Sequence, residues 1–428
     1  MSERLQQLKS HLLPPAAASS LKEKNDDDVV IVAAYRTAIT RAGKGLFKDT
    51  NSDVILYKLL SKFIKKTKLD PNVLGDVIVG NVLNPGAGVN EHRAAAIAAG
   101  IPSTVPFMAI NRQCSSGLMA VADVANKIAK GEIDAGLGCG VESMSSNYGP
   151  QAAPKISEIV LNAKKDAQDC LLPMGMTSEN VNEMFSIGRK EQDEFAAKSY
   201  QKAEMAVSAG LFKNEILPIE VEVEIDDEND DDDDDDNEQN PAAPKTKTII
   251  VDTDEGPRKG VTAEKLSKIK PAFKPTGGSH AGNASQVSDG AAVVLLMRRS
   301  FALQNGYPIV AKYIGCSVVG VPPGIMGIGP ALAIPALLKK HDVEVGEIDQ
   351  FEINEAFAGQ ALFSVKKVGI DEAKVNPRGG AIALGHPLGA TGARQVATWI
   401  GESKPGNVGV VSMCIGGGQG AAGLFVRE

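Results

Sequence analysis

The sequence predicts an α/β protein made of two duplicated core halves with a separate lobe inserted between them, and three observations carry that reading. β-branched apolar runs alternate with alanine-rich helical runs at both ends of the 428-residue chain, as β-α repeats of a mostly parallel sheet do. Reactive side chains sit on turns after such runs in both parts, Cys114 in the first and His386 and Cys414 in the second. That repetition of strand, turn and helix points to internal duplication, although residue identity between the halves is low. Residues 144–288 between them are richer in polar loops. At about 150 residues per domain, the length itself allows two or three lobes.

Taken in order, Val29 to Ala34 and Asp76 to Gly80 read as buried strands, the second followed by a helix over His92 to Ala99. Phe107 to Ile110 leads through the Cys114 turn into a helix, because Leu118, Val121, Ala122, Ala125 and Ile128 recur at helical spacing. Ala135 to Val141 is the next strand. These elements, 29–143 with 289–302, make the N-terminal core half. Within the inserted lobe, 144–288, one long amphipathic helix runs from Arg189 to Ser208. The lobe also holds an acidic run, 222–240, which cannot bury anything, repels itself and is expected to be disordered.

Residues 303–428 make the C-terminal core half. Ile309 to Gly320 is extended, Ile348 to Ile353 is a strand running into a helix over Asn354 to Lys367, and Ala381 to Leu384 precedes the His386 turn. Val408 to Cys414 and Ala422 to Val426 close the half as an antiparallel pair.

The net charge of −8 comes from one place. Glu222 to Glu238 holds thirteen acidic residues and no basic one, so removing it leaves 40 acidic groups against 45 basic, or +5. A mildly basic body suits an anionic substrate but does not indicate nucleic acid. Calcium binding by the run is disfavoured, since homopolymeric aspartate lacks the glycine turn and spaced ligands of a calcium loop. No apolar stretch reaches the roughly 18 to 20 residues that span a bilayer. The five cysteines are widely spaced with no C-x-x-C pair, which writes neither a disulfide framework nor a metal site. Cys139 and Cys316 lie in apolar contexts and read as structural thiols. The chain reads as reduced and intracellular.

Residues 1–28 form a targeting segment and linker. As a helix, residues 4–12 place Leu5, Leu8 and Leu12 on one face, with Arg4 and His11 a heptad apart and Pro14 and Pro15 stopping the turn. The pattern resembles a type 2 peroxisomal targeting signal, and so implies an import receptor as partner and the peroxisomal matrix as location. A frayed amphipathic terminus and a mitochondrial presequence are the rivals; Glu3 and a single arginine fit the latter poorly.

The turns carry the chemistry. Cys114 stands at a helix start, where free backbone N–H groups and the macrodipole favour a thiolate, so its pKa is expected to fall below the usual value of about 8.5. Ser115, Ser116 and Gly117 make a polar, tight entry that packing does not require. His386, followed by Pro387, is held extended in a loop with glycines at 379, 380, 385, 389 and 392. It is a better base than His92 or His341, which read as surface or helix residues. Gly418 to Gly423 fits a dinucleotide fingerprint and follows a strand, but only five residues remain after it, too few for the helix and acidic residue that the site needs. Those glycines read instead as a hairpin whose N–H groups, Gly416 first, face the site. A nucleophile, a base and a second thiol then suit acyl transfer through a thioester.

Four blocks, Asn111-Arg112-Gln113-Cys114-Ser115-Ser116-Gly117, Asn354-Glu355-Ala356-Phe357, Gly379 to Pro387 and Cys414-Ile415-Gly416-Gly417-Gly418, resemble those of the thiolase family in order and spacing. Gly282-Asn283-Ala284-Ser285 and Asp254 to Arg258 add two more, so that the resemblance covers about residues 29 to 428. With the N-terminal segment, it is to the fungal peroxisomal type. It implies a layered α-β-α-β-α fold and thiolytic cleavage of 3-ketoacyl-CoA by coenzyme A, the last step of fatty acid β-oxidation. Coenzyme A is then a co-substrate, with no cofactor or metal, and the assembly a homodimer. In that scheme Cys114 is the nucleophile, His386 activates it, Cys414 is the acid and base, Asn354 holds a water, and the N–H groups of Cys114 and Gly416 form an oxyanion hole. Arg258 and Ser285 match positions that touch coenzyme A, and Met174 one lining the acyl pocket; a surface arginine and a core gap filler are the plainer readings of Arg258 and Met174.

The chain departs from the family pattern at His280, where many members have threonine, at Pro173, where acetoacetyl-specific members have histidine, and in its aspartate run. The second departure favours longer acyl chains. An acetoacetyl-CoA thiolase acting in condensation is the alternative enzyme, and a fatty-acid ketosynthase would carry a second histidine in place of Cys414. A non-catalytic acyl-CoA or lipid-binding scaffold is the alternative outside enzymes, opposed by the intact Cys114, His386 and Cys414.

Overall fold

The computed structural model describes residues 20–149, 152, 154–224 and 246–428. The expected targeting helix, 4–12, and the run from Asp226 to Asp236 lie outside the described residues. The first half supplies β1 (Val29–Arg36), the short β2 (Thr40–Arg41), β3 (Asp76–Gly80), β4 (Phe107–Ile110) and β5 (Ala135–Ser143). A hairpin of β6 (Ile219–Glu224) and β7 (Thr246–Val251) stands apart, and β8 (Ser288–Arg298) returns to the main sheet. The second half adds β9 (Ala311–Gly320), β10 (Gln350–Ile353), β11 (Val408–Ile415) and β12 (Gln419–Arg427). Against them pack α1 (Ser52–Thr67), α2 (Val89–Ala98), α3 (Ser116–Ala129), α4 (Met174–Met184), α5 (Arg189–Ser208), α6 (Gly329–Lys340), α7 (Ala358–Val368) and α8 (Thr391–Glu402).

The strands run β10-β11-β12-β9-β1-β8-β5-β3-β4, with β2 beside β8. In the first half β4, β3 and β5 are parallel, while β8 and β1 are antiparallel neighbours beyond them. The second half repeats the plan: β10 and β11 are parallel, then β12 and β9 antiparallel. A lone parallel bridge, Phe351 to Val375, takes the place beside β10 that β4 holds beside β3. The two half-sheets meet through only two residue pairs, Val30 with Lys312 and Ile31 with Ala311.

Strand periodicity explains the layers. On β8, Ala291, Val293, Leu295 and Met297 join the core under α1, whereas Ala292, Val294 and Leu296 face the core around α3 and α8. On the other half-sheet, Val411, Met413 and Ile415 share that central core, and Val408 and Val410 face α6 and α7. Sheets covered on both faces need near-continuous apolar strands, and these have them. The result is α-β-α-β-α, with α3 and α8 as the middle layer.

Three sequence expectations change. The run 222–240 begins inside order, because Glu222 and Glu224 lie on β6 beside Thr248 and Thr246, where alternation with the buried Val221 keeps them in a ladder. Asn354 lies outside the helix expected over 354–367: its N–H bonds to the Ser412 carbonyl at 2.8 Å, extending the β10 pairing, and the first helical turn waits until Ala358. His92, expected at the surface or on a helix, is on α2 but fully buried, with a ring nitrogen 3.0 Å from Ser52 Oγ.

Candidate active site

Side chains of its own motif wind the Cys114 turn. Asn111 Oδ1 accepts from the Gln113 N–H at 2.9 Å while Asn111 Nδ2 donates to the Val82 carbonyl at 3.0 Å. Ser116 Oγ accepts from the Arg112 N–H at 2.9 Å and donates to the Gln113 carbonyl at 2.6 Å. These bonds hold Gln113 in the left-handed region, φ 48°, immediately before the thiol. Such backbone costs on the order of 1 to 3 kcal/mol and persists only where its surroundings over-determine it.

The thiol does not show the low pKa that its place before α3 led us to expect. Burial pushes Cys114 up to about 11, outweighing the N–H groups of Gly416 and of Cys114 itself, which bond to the sulfur. The helix begins only at Ser116, and removal from water disfavours the charged form more than these dipoles favour it. Cys114 is therefore a thiol at rest.

His386 is buried and its ring is fixed at both nitrogens. Thr391 Oγ1 donates to the Pro387 carbonyl at 2.9 Å, so it must accept the 2.6 Å bond from His386 Nδ1–H. Nε2 then carries the lone pair and accepts from Asn354 Nδ2 at 3.3 Å. Burial and, after it, the Arg394 guanidinium push His386 down to about 3, which keeps it a neutral base. Asn354 Oδ1 is buried and has no protein partner.

Cys414 lies at the end of β11, fully buried against Met326, Ala356 and Phe357. Burial raises its pKa and the Cys114 sulfur raises it further, so the two thiols are electrostatic neighbours. A Cβ on Gly416 would come within 3.6 Å of Met174 Sδ and 3.8 Å of Gln113, so Met174, at the start of α4, caps this end of the site. Ser285 is joined to the same region by its N–H bond to the Ala356 carbonyl at 3.0 Å. Arg258 is exposed and within electrostatic reach of Tyr200; nothing joins it directly to the thiols.

The pieces converge because α3 and α8 cross at their first turns. A Cβ on Gly117 would lie 2.7 Å from the Gly389 carbonyl oxygen and 2.8 Å from the Ala393 nitrogen, so backbone touches backbone there. That crossing brings the turn after β4 to the loop after Leu384. Among the described residues no group of three or more His, Cys, Asp or Glu side chains could hold a metal, and no helix is long and apolar enough to cross a membrane.

Comparison with known proteins gives the family. Residues 29–300 match the family described as thiolase, N-terminal domain, and residues 307–427 match thiolase, C-terminal domain. The chain belongs to the thiolase family. It is 58% identical to the peroxisomal 3-ketoacyl-CoA thiolase of Yarrowia lipolytica over 92% of each chain. It is 54% identical over the full length of both chains to the peroxisomal 3-ketoacyl-CoA thiolase of Saccharomyces cerevisiae. The crystal structure of the dimeric peroxisomal thiolase of S. cerevisiae superposes with a TM-score of 0.86, covering 96% of this chain and all of that one.

Within the thiolase fold, the departure at His280 has a local cause. Its Nδ1 accepts the Gly282 N–H at 3.0 Å, and its other nitrogen donates to Asp193 at 2.7 Å, where Arg189 and Asn283 also bind. It pins the 280–283 turn to α5, and burial lowers its pKa against the opposing pull of Asp193. Sequence reasoning missed Thr391 and Glu142. The signal for Glu142 was available: it is an ionisable residue inside the otherwise apolar run that becomes β5, where a buried carboxyl needs a reason.

Proposed function

We propose that this protein cleaves 3-ketoacyl-CoA with coenzyme A, as an acetyl-CoA C-acyltransferase acting in peroxisomal fatty acid β-oxidation. The convergence of two thiols from different half-sheets with an unprotonated His386 Nε2 and two inward N–H groups carries the reading. Cys114 Sγ attacks the 3-keto carbon as its proton passes to His386. Both partners are neutral at rest, so the transfer accompanies attack rather than preceding it. The C2–C3 bond breaks, its electron pair forms the acetyl-CoA enolate, and Cys414 protonates that carbon. The Cys414 thiolate then takes the proton of an incoming coenzyme A thiol, which attacks the acyl group on Cys114, and His386 returns its proton to the leaving sulfur.

The N–H groups of Cys114 and Gly416 stabilise the thioester oxyanion, and His386 with a water held by Asn354 stabilises the other. Arg258 and Ser285 contact coenzyme A, Met174 lines the acyl side, and Pro173 favours chains longer than acetoacetyl. The protein is a homodimer imported through residues 4–12 by the peroxisomal receptor. Its identity to peroxisomal enzymes over most of the chain supports this reading.

Purified protein should consume 3-ketoacyl-CoA of several chain lengths only when coenzyme A is present. Cys414→Ala should lose turnover while still accepting an acyl group on Cys114 from a simple acyl-CoA, seen by mass spectrometry. Activity confined to the four-carbon substrate, or bound substrate with no adduct, would sink the reading.

A further inference from the structure

Glu142 is fully buried at the end of β5. Its carboxylate accepts four N–H bonds: from Asn81 Nδ2 at 3.0 Å, Val82 at 3.0 Å, Leu83 at 3.1 Å and Gly389 at 2.8 Å. No cationic partner is among them. The donors come from two places that meet nowhere in sequence. Residues 81–83 follow β3, and the Val82 carbonyl in turn anchors Asn111, which shapes the Cys114 turn. Gly389 lies in the loop that carries His386. The approach is close: a Cβ on Gly389 would lie 2.7 Å from Asn81 Cα and from the carbonyl oxygens of Gly80 and Val141.

We propose that Glu142 is a positioning residue that clamps the Cys114 turn to the His386 loop and holds a negative charge beside the nucleophile. This rests on the reading of Cys114 as nucleophile. Packing of β5 alone does not call for a carboxylate, because a buried charge without a cation is costly and an apolar side chain would fill the space more cheaply. The four N–H groups supply acceptor contacts that fix two loops at once, and geometry at the reacting atoms is where small displacements cost most. Burial raises the Glu142 carboxyl to about 7 despite those bonds. Its charge raises the Cys114 thiol, so each group opposes ionisation of the other. The other groups acting on the Cys114 sulfur are the N–H groups of Cys114 and Gly416, and that sulfur in turn raises the Cys414 thiol. Arg394 acts on His386. Glu142 thus adds to the burial that keeps the nucleophile protonated at rest.

Alkylation of Cys114 by iodoacetamide, followed by mass spectrometry against pH, tests this without requiring turnover. In Glu142→Gln the alkylation midpoint should fall by about one pH unit, giving about tenfold faster modification at a fixed pH below both midpoints. A purely structural role would not move the midpoint downward. The same variant should lose kcat by roughly tenfold or more, with KM changed little. An unmoved or raised midpoint in a folded Glu142→Gln protein overturns the proposal. Should that variant not fold, the wild type decides: the logarithm of its alkylation rate should flatten through the neutral range as Glu142 ionises. An unbroken slope of one there overturns it equally. Wild-type thiolysis reports on the proposed activity separately, so the two failures are distinguishable.

Discussion

At the residue scale, the site works by burial and hydrogen-bonded orientation rather than by ready-made charge. Cys114 and His386 are both neutral at rest, one pushed up and the other down by the same loss of water. A neutral imidazole has two tautomers, and only the one with its lone pair on Nε2 can take a proton on the Asn354 side. Thr391 makes that choice, because its single hydroxyl hydrogen is engaged by the Pro387 carbonyl. Thr391→Val keeps the shape and loses both bonds. It should lower kcat by roughly tenfold to a hundredfold, as expected when general-base geometry is lost, while KM stays near the wild-type value. Leaving the buried Nδ1–H unpaired should also cost about 1 to 3 kcal/mol of stability. Steady-state kinetics checks the first claim, and an unchanged kcat would remove Thr391 from the tautomer argument.

At the scale of elements, the crossing of α3 and α8 decides whether the two catalytic loops meet. Alanine normally stabilises a helix by roughly 0.5 to 1 kcal/mol relative to glycine. At Gly117 the sign should reverse, since the new methyl would press on the Gly389 carbonyl and the Ala393 nitrogen, both backbone and unable to swing aside. Gly117→Ala should therefore destabilise by about 1 to 3 kcal/mol in a urea titration; a gain in stability would show that the crossing is looser than its distances imply. Most elements were legible in the sequence because the strands are buried on both faces and read as continuous apolar runs, from Val29 and Ala135 to Val408. The site blocks were legible because their cysteines and histidine stand on turns dense in glycine, although Gly117 proves to serve the close crossing of α3 and α8. What escaped was set by contacts distant in sequence. The Asn354 pairing to Ser412, the Thr391 bond that fixes His386, and the Glu142 clamp all depend on which loops fold together. The resting state of Cys114 escaped for a related reason: a helix start is visible in a sequence, whereas the burial that outweighs it belongs to the assembled core.

At the scale of the whole molecule, the two half-sheets share only two residue pairs, both between β1 and β9, so other bonds must help hold them in register. A buried charged cluster does this. Arg36 of β1, fully buried, meets Asp254 through two bonds of 2.7 and 2.8 Å and Glu215 at 2.6 Å. Glu215 also takes Thr398 from α8 at 2.8 Å and Arg378 at 3.4 Å. Asp254 accepts the Ile39 N–H at 2.8 Å as well. The first half, the inserted lobe and the second half are thereby joined in one network. Asp254→Ala would leave the buried Arg36 guanidinium with Glu215 as its one carboxylate partner in the cluster, and removing one partner of a buried pair typically costs about 3 to 5 kcal/mol. The pair Arg36→Met with Asp254→Leu removes both charges of that ion pair and leaves Glu215 to Arg378 and Thr398, so it should recover part of that loss. Urea midpoints of the single and double variants check this. A double variant as unstable as Asp254→Ala would mean instead that the cluster fixes a unique arrangement of the three parts that apolar packing cannot replace.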